Sequence, residues 1–454
     1  MKDLIQTLRN IFKIEELRSK ILNTLLFVAI YRLASHIVLP GVDPDQLGAL
    51  KQQTSEGIFG LLDMFAGGAF SQASIVALGI MPYISASIVV QILGIAVPYF
   101  QKMQKEGESG RKRLNQITRW LTVLVVAGQA PGYLVNLRAQ AQSAIIAYTN
   151  PAALSPTLWW ITSIIILIAG TLFVMWLGER IQEKGIGNGI SLIIMVGIIA
   201  RLPFALRDEF LARLNQTGGG LIMFLVEIVA LFCVVVICIL LVQGTRKIPV
   251  QFAKKIIGNR QYGGQRQYIP LKVNAAGVMP IIFAQAIMFI PATVAQFFPE
   301  SSSMQGFASS LTDFHSPWYN IIFATLIILF TYFYTAITVN PNQMADDMKK
   351  NGGFIPGVKP GKQTASFIDD VMSRITLPGS LFLAFVAILP ALAKVMGIST
   401  NFAQFYGGTS LLILVGVVLD TLQQIESHLL MRHYDGLMKS GRIKGRSSIN
   451  APVQ

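Results

Sequence analysis

Charged residues are scarce in this chain: Asp, Glu, Lys and Arg make up 13% of its 454 residues. A soluble domain averages about 25%, so scarcity over this length indicates that lipid surrounds most of the chain. The 53% of hydrophobic residues agrees with this. Cysteine is also rare. Cys233 and Cys238 both lie in one apolar run, which is typical of a membrane helix and disfavours a disulfide or a metal site.

Catalytic and nucleotide-binding patterns are missing as well. The glycine-rich stretch 185–190 (GIGNGI) precedes an apolar span and follows no strand, and 360–362 (PGK) lacks the spacing of a phosphate-binding loop. The histidines are scattered and form no helical metal pair: His36, His315, His428 and His433. We therefore expect neither an enzyme nor a cofactor, and any energy for work must come from a partner or from the membrane potential.

Apolar runs long enough to cross a bilayer occur ten times. A membrane helix needs about 20 mostly apolar residues, and helices satisfy their own backbone hydrogen bonds in hydrocarbon. The sequence therefore predicts an all-α integral membrane protein with ten transmembrane helices and short loops. The predicted spans are 21–39, 74–97, 117–137, 157–177, 187–206, 221–243, 275–296, 317–338, 376–396 and 405–427.

Lys and Arg are distributed unevenly between the segments that join these spans. Segments on the side of the N-terminus carry 30 of the 37 Lys and Arg residues, and segments on the other side carry 4. This bias predicts that both termini are cytoplasmic, including an amphipathic segment 1–20 and a tail 428–454. Most of the net charge of +14 therefore reflects membrane topology, which weakens a nucleic-acid-binding interpretation.

Two cytoplasmic loops have features beyond this bias. Segment 244–274 carries seven basic residues, no acidic residue and several aromatic residues. It is either an ordinary positive-inside loop or a docking site for ribosomal RNA or an acidic protein face. Segment 339–375 mixes both signs of charge with Gly and Pro turns, which fits a structured loop with a protein partner or a simply solvated one.

Ionisable residues inside the predicted spans are few. Arg32 and His36 lie in the first span, Glu227 in the sixth and Asp420 near the end of the tenth. Each is a candidate for an ion path, although Arg32, His36 and Asp420 are close enough to a span end to reach water. The sequence shows no partner for Glu227.

Six blocks of the sequence resemble the SecY family, the channel-forming subunits of the bacterial protein-export translocon. The likeness covers about residues 1–440, and the blocks follow the family's order and spacing. Among them are MWLGERIQEKGIGNGIS and NPNQMADDMKKNGGFIPGVKPGKQT. The six blocks occupy 64–88, 105–112, 175–191, 270–283, 340–364 and 407–413.

The resemblance implies two pseudo-symmetric five-helix halves, 21–206 and 207–427, around a central pore. Such a channel would pass unfolded secretory polypeptides across the membrane and release hydrophobic segments sideways into lipid. The family closes the waist of its pore with aliphatic side chains, which dewet a narrow constriction and make no strong bond to a sliding chain. The matching positions are Ile80, Ile84, Ile190, Ile194, Val278, Ile282 and Ile413.

Two further parts of the channel follow from the resemblance. Segment 58–72 matches the plug, a short helix that blocks the outer funnel, and its small residues fit a loosely held element. Its main residues are Asp63, Met64, Phe65, Gly67 and Gly68. The family's lateral gate lies between spans 74–97 and 275–296, for which we predict kinks at Pro82 and Pro280. Polar side chains that we assign to the closing of this gate are Ser85, Ser87, Gln91 and Gln285.

The expected partners also come from the family. They are SecE, SecG, the SecA motor or a translating ribosome, preproteins with signal sequences, and the lipids of the bacterial inner membrane. Loops 244–274 and 339–375 match the docking sites for SecA and the ribosome, and the docking residues are Lys254, Lys255, Arg260, Lys359 and Lys362. Lys359 stands where Arg is usual, so it keeps the charge without the planar fork.

A secondary solute transporter is the competing class, because inverted halves and broken helices are common in such proteins. It would show a cluster of polar groups at mid-membrane, whereas the pore positions assigned here are aliphatic.

Overall fold

The computed structural model describes residues 14–48, 60, 63–149, 155–214, 220–252, 255–257, 260–262, 266–296 and 316–439. The first part of the described chain is helical. Its helices are α1 Glu15–His36, α2 Met81–Ala96, α3 Pro98–Lys105, α4 Glu108–Gln140, α5 Ile146–Thr149, α6 Pro156–Lys184, α7 Gly189–Leu214 and α8 Gly220–Gln243, with short 3-10 turns at Pro44–Gln46 and Gln142–Ala144.

The second part of the described chain contains all of the described strands. Its elements are β1 Thr245–Phe252, β2 Lys255–Ile257, β3 Arg260–Tyr262, β4 Arg266–Lys272, α9 Met279–Gln296, α10 Pro317–Thr338, α11 Pro341–Lys350, β5 Gly353–Phe354, α12 Lys362–Val395, α13 Thr400–Ala403 and α14 Gly408–Lys439.

Each of the ten predicted spans coincides with a helix, which confirms the predicted fold class. The ten helices are α1, α2, α4, α6, α7, α8, α9, α10, α12 and α14. By length and apolarity alone, seven helices of the described chain could cross a membrane, or eight if the bent pair of α2 and α3 is one span. Helix α1 falls outside this count because its first turns are charged.

Local sequence signals set several of these boundaries. Ser155 caps α6 by accepting a hydrogen bond from Leu158 N at 3.3 Å, and Pro156 occupies the first turn, where its missing N–H is harmless. Asn340 caps α11 in the same way by accepting from Gln343 N at 3.2 Å.

The two predicted kinks are helix starts instead. Residues 74–80 form turns, and α2 begins only at Met81 with Pro82 in its first turn. Helix α9 likewise begins at Met279, next to Pro280. Gly79 and Gly277 precede these starts with φ of +55° and +64°, a region that disfavours other residues. Both helices therefore follow a non-helical break, and the prediction of continuous kinked helices was wrong.

Loop 244–274 contains an antiparallel ribbon that the sequence analysis treated only as a loop. Strand β1 pairs with β4, from Thr245 opposite Lys272 to Gln251 opposite Arg266, and also with β5 of loop 339–375. Ile248, Val250 and Leu271 of the ribbon are buried against α11 and α12 in a second apolar cluster. Loops 244–274 and 339–375 thus form one packed body.

The remaining core is one large apolar cluster that extends from α1 to α14. Outside it, α8 presents a broad apolar surface, with Leu221, Ile222 and Leu225 each more than half exposed. Such a surface is stable only against lipid or another apolar partner, in agreement with a multi-pass membrane protein.

Candidate functional site

The seven predicted pore residues lie near the N-terminal ends of four helices. Ile80 immediately precedes α2 and Val278 immediately precedes α9, and the others lie within the first two turns of α2, α7, α9 and α14. Helix α9 contacts both α2 and α14, and α14 contacts α7. Four of them are buried in the large apolar cluster, and Ile190, Val278 and Ile282 are partly buried and pack against it. A Cβ at Gly416 of α14 would lie 3.0 Å from Val278 Cγ1.

The described part of the predicted plug, residues 63–72, packs into the same cluster. Residues 63–65 are helical and the following residues form turns. The side chains of Asp63, Met64 and Phe65 are at most 5% exposed. Gly60 is also described, whereas 58, 59, 61 and 62 lie outside the described residues.

Three side chains from surrounding helices hold the backbone of this segment. Tyr31 Oη donates to Ala66 O at 3.1 Å, and Arg32 Nη1 donates to Gly67 O at 2.7 Å, both from α1. Tyr133 Oη of α4 donates to Phe70 O at 3.0 Å. Because these donors act on main-chain carbonyls, they fix the position of the segment without depending on its side chains.

A buried ion pair holds the start of the segment. Asp63 is fully buried and pairs with Arg201 of α7, whose side chain is 32% exposed. The other oxygen, Oδ1, accepts from Ser71 N at 2.8 Å, and Arg201 Nη2 donates to Ser71 Oγ at 3.0 Å. The Asp63 carboxylate therefore links both ends of segment 63–72 to α7.

The glycines of the segment allow close packing rather than loose attachment. Gly67 has φ of +64°, and a Cβ there would lie 2.9 Å from Gly197 Cα on α7. A Cβ at Gly197 would in turn lie 2.8 Å from Phe65 O. Backbone meets backbone at this point, which only glycine permits on both sides. The expectation of a loosely held element is corrected by these contacts.

Arg32, His36 and Arg201 were the residues whose role the sequence analysis missed. Arg32 was interpreted as reaching water, but it also donates to Gly67 O of the predicted plug. His36 is exposed, as interpreted, and its Nδ1 lies 3.1 Å from Gln72 Oε1. The sequence did contain a signal. Arg32 and Arg201 lie in apolar spans, and Asp63 is the one acidic residue of the apolar segment 58–72. Asp420 is exposed, as its position near a span end suggested.

The polar residues assigned to the lateral gate do not form one network. Ser85 Oγ donates to Met81 O at 3.2 Å within its own helix, and Gln91 Nε2 donates to Ser87 Oγ at 3.3 Å. Gln285 is buried in a cavity whose lining includes Tyr319 and Gln404. Serine hydroxyls in helices commonly donate to the carbonyl one turn back. The Ser85 hydroxyl therefore bonds within α2 and does not bridge α2 and α9. Contact between α2 and α9 themselves is present.

The described docking residues lie in loops 244–274 and 339–375. Lys255 and Arg260 lie on the paired strands β2 and β3, with Lys255 opposite Tyr262 and Ile257 opposite Arg260. Lys359 and Lys362 are exposed beside the start of α12. Lys254 lies outside the described residues.

Comparisons with known proteins agree with this arrangement. The family model SecY matches residues 74–422. The chain is 42% identical over 455 residues to the protein translocase subunit SecY of Chlamydia muridarum, covering 97% of this chain and 99% of the relative.

Two solved structures share the fold. One concerns the plug domain of a SecY protein that stabilises the closed state of the translocation channel, with a TM-score of 0.60 and 18% identity. The other is Sec61 in a canine ribosome–channel complex from the endoplasmic reticulum, with a TM-score of 0.58 and 18% identity. Each match covers 94% of this chain and 95% of the other.

The solute-transporter alternative finds no support in these matches. The described helices and the full-length likeness to protein translocases point to one class of protein. The chain belongs to the SecY family: it is a multi-pass membrane channel for protein translocation and not an enzyme.

Proposed function

We propose that this channel is sealed in two layers, an aliphatic waist and a plug held by charge. The observation that carries the proposal is the buried Asp63–Arg201 pair, because it ties the plug segment to α7, a helix that also bears Ile190 and Ile194. An unfolded polypeptide cannot cross hydrocarbon bare, since each unsatisfied backbone group costs several kcal/mol. The conduit must therefore open for the chain and exclude ions when it is idle.

The plug contacts support displacement as a unit. Its described anchors include three side-chain donors to backbone carbonyls, one ion pair and the hydrogen bond from Arg201 to Ser71, all from surrounding helices. When the segment leaves, Arg32 and Arg201 lose these acceptors, but water entering the opened funnel can solvate both guanidinium groups. The waist residues Ile80, Ile84, Ile190, Ile194, Val278, Ile282 and Ile413 then surround the moving polypeptide.

We propose that the lateral gate opens between α2 and α9. A glycine with positive φ lies two residues before each of these helices, and a proline lies in the first turn, so each helix has a defined break about which to turn. Signal sequences and hydrophobic segments leave through this seam into lipid. Ser85, Ser87 and Gln91 belong to α2 at this seam, whereas we assign Gln285 to packing behind α9.

The partners and the orientation complete the proposal. The body formed by loops 244–274 and 339–375 is strongly basic in its first loop, and it would dock SecA or a ribosome, including ribosomal RNA, through Lys254, Lys255, Arg260, Lys359 and Lys362. SecE and SecG would complete the complex. The distribution of Lys and Arg favours a bacterial inner membrane location with both termini in the cytoplasm.

Site-specific cross-linking to an arrested secretory chain tests the conduit. After Cys233 and Cys238 are replaced, single cysteines are placed at Ile84 and Ile282 and, as a control, at Leu225, which is 63% exposed on the apolar face of α8. We expect adducts at the two waist positions that require a functional signal sequence. Equal adducts at Leu225, or none at the waist in an assembled complex, would contradict the proposal.

A further inference from the structure

Glu227, for which the sequence showed no partner, lies in a buried cluster with Glu209 and Arg213. Arg213 Nε donates to Glu209 Oε1 at 3.0 Å, and Arg213 Nη2 donates to Glu227 Oε1 at 2.6 Å. Nη2 also donates to Gly397 O at 2.7 Å. The two glutamates are at most 2% exposed. Arg213 lies 14 residues before Glu227 and on another helix, which is why no sequence spacing revealed the pair.

Among the described residues, the charges of this cluster do not balance. Two carboxylates face one guanidinium in a site that solvent does not reach, so full ionisation would leave one uncompensated negative charge. A buried unpaired charge is far more costly than a buried neutral group, and two carboxyl groups sharing a site favour retention of one proton. The cluster is therefore electrically neutral when it holds one additional proton.

Hydrogen bonding identifies which carboxyl group holds that proton. Glu209 accepts at both oxygens, from Arg213 Nε and from Ser399 N at 3.0 Å, as an ionised carboxylate does. Glu227 accepts from Arg213 at Oε1, and its buried Oε2 accepts no hydrogen bond from a described donor. The Glu227 carboxyl group is also within hydrogen-bonding reach of Glu209, and two carboxyl groups share a hydrogen bond only when one of them donates a proton.

We propose that Glu227 is a proton-binding site that joins the C-terminal end of α7 and the first turns of α8 to segment 397–406. Tyr406 Oη donates to the main-chain carbonyl oxygen of Glu227 at 2.5 Å, which links segment 397–406 to α8. The charged and titratable groups that act on Glu227 are Glu209, Arg213 and Tyr406, and Lys394 lies on α12 one turn before Gly397. Loss of the proton would repel Glu227 from Glu209 and loosen this joint.

The elements joined at Glu227 include helices that bear predicted pore residues. Helix α7 bears two waist residues and Arg201 of the plug pair, and segment 397–406 leads into α14, which bears Ile413. The protonation of one carboxyl group therefore controls how firmly two pore-lining helices are held together.

Infrared spectroscopy of the full-length channel in lipid nanodiscs tests the proposal directly. We expect the carbonyl band of a protonated carboxylic acid at neutral pH, absent in Glu227→Gln and retained in Asp208→Asn. Asp208 is exposed on the same helix and is the matched control. A spectrum in which Glu227→Gln changes no such band would overturn the proposal, because it would show Glu227 to be ionised.

Thermal unfolding over a range of pH provides an independent readout. The unfolded chain releases this proton around the ordinary glutamate pKa of about 4.3, whereas the folded protein keeps it, so wild-type stability should fall as pH rises above that value. Glu227→Gln should remove this part of the pH dependence and keep the stability seen at lower pH. Glu209→Gln should lower the melting temperature by about 2–4 °C, because an amide cannot accept from both donors. Equal losses in both variants would contradict the proposal.

Discussion

The plug pair and the Glu209–Arg213–Glu227 cluster are both buried ionic sites, but they differ in what they allow to move. At the plug, Arg201 remains about a third exposed and binds a short segment whose other anchors act on backbone carbonyls. In the cluster, the Arg213 side chain is 8% exposed and lies between helices that pack along their length. A charged side chain next to water can replace its protein partner with water molecules, whereas a charged side chain far from water cannot.

This difference explains how one protein contains a movable part and a fixed part built from the same residue types. Breaking a fully buried ion pair by removing one partner costs about 3–5 kcal/mol, because the remaining charge is stranded. When the whole plug segment moves, both charges of its pair reach water. Substitution of one partner therefore destabilises the closed plug, whereas the plug can leave as a unit without stranding either charge.

The largest expected effect is that of Arg201→Gln. It strands the Asp63 carboxylate in the closed channel, at a cost of roughly 2–3 kcal/mol after allowance for the partial exposure of Arg201. We expect the idle channel to conduct ions in a planar bilayer, where the wild type does not. Arg207→Gln, an exposed arginine on the same helix, is the control and should remain sealed.

A second substitution tests the close contact without changing charge. Gly67→Ala places a Cβ 2.9 Å from Gly197 Cα at φ of +64°, which costs about 1–2 kcal/mol for the backbone conformation alone. We expect a leak smaller than that of Arg201→Gln. Gly128→Ala, in an open position on α4, should leave the seal intact, and a leak in both variants would assign the effect to general destabilisation.

The backbone anchors should contribute less individually. Tyr31→Phe removes one hydrogen bond to Ala66 O, worth about 0.5–1.5 kcal/mol, and Tyr133→Phe removes another at Phe70 O. Because the two tyrosines lie on different helices and bind different carbonyls, we expect their effects on idle conductance to add. An absence of leak in the double variant would show that the ion pair alone holds the plug.

The smallest expected effect is at the lateral gate. Ser85→Ala removes a hydroxyl that bonds within its own helix, so signal-sequence-dependent opening should be unchanged. An altered threshold for opening, measured as insertion of a weakly hydrophobic signal sequence, would restore Ser85 to the seal between α2 and α9.

The sequence was sufficient to predict the ten helices because each apolar span must satisfy its backbone hydrogen bonds within itself. It failed at the starts of α2 and α9, where a proline was interpreted as a kink although its missing N–H also suits a first turn. The β1–β4 ribbon was missed because its alternation of buried Ile248 and Val250 is short and lies among basic residues.

The site was predictable only in part. Positions of the waist and plug came from family motifs, because an aliphatic residue in a pore is chemically identical to one in a core. The partners of Asp63 and Glu227 are tertiary contacts between separate helices, and no spacing in one sequence encodes them. The excess of ionisable groups in apolar segments was the available signal, since such groups require partners in a membrane.

The central claim is that the Asp63–Arg201 pair holds the plug closed, and a double-variant cycle of idle ion conductance tests it most directly. Asp63→Asn keeps an acceptor for Ser71 N while removing the charge, so Asp63→Asn combined with Arg201→Gln leaves no stranded carboxylate. We predict that the double variant leaks less than Arg201→Gln alone. A double variant that leaks as much as the two single variants added together would show that the two residues act independently and would contradict the account.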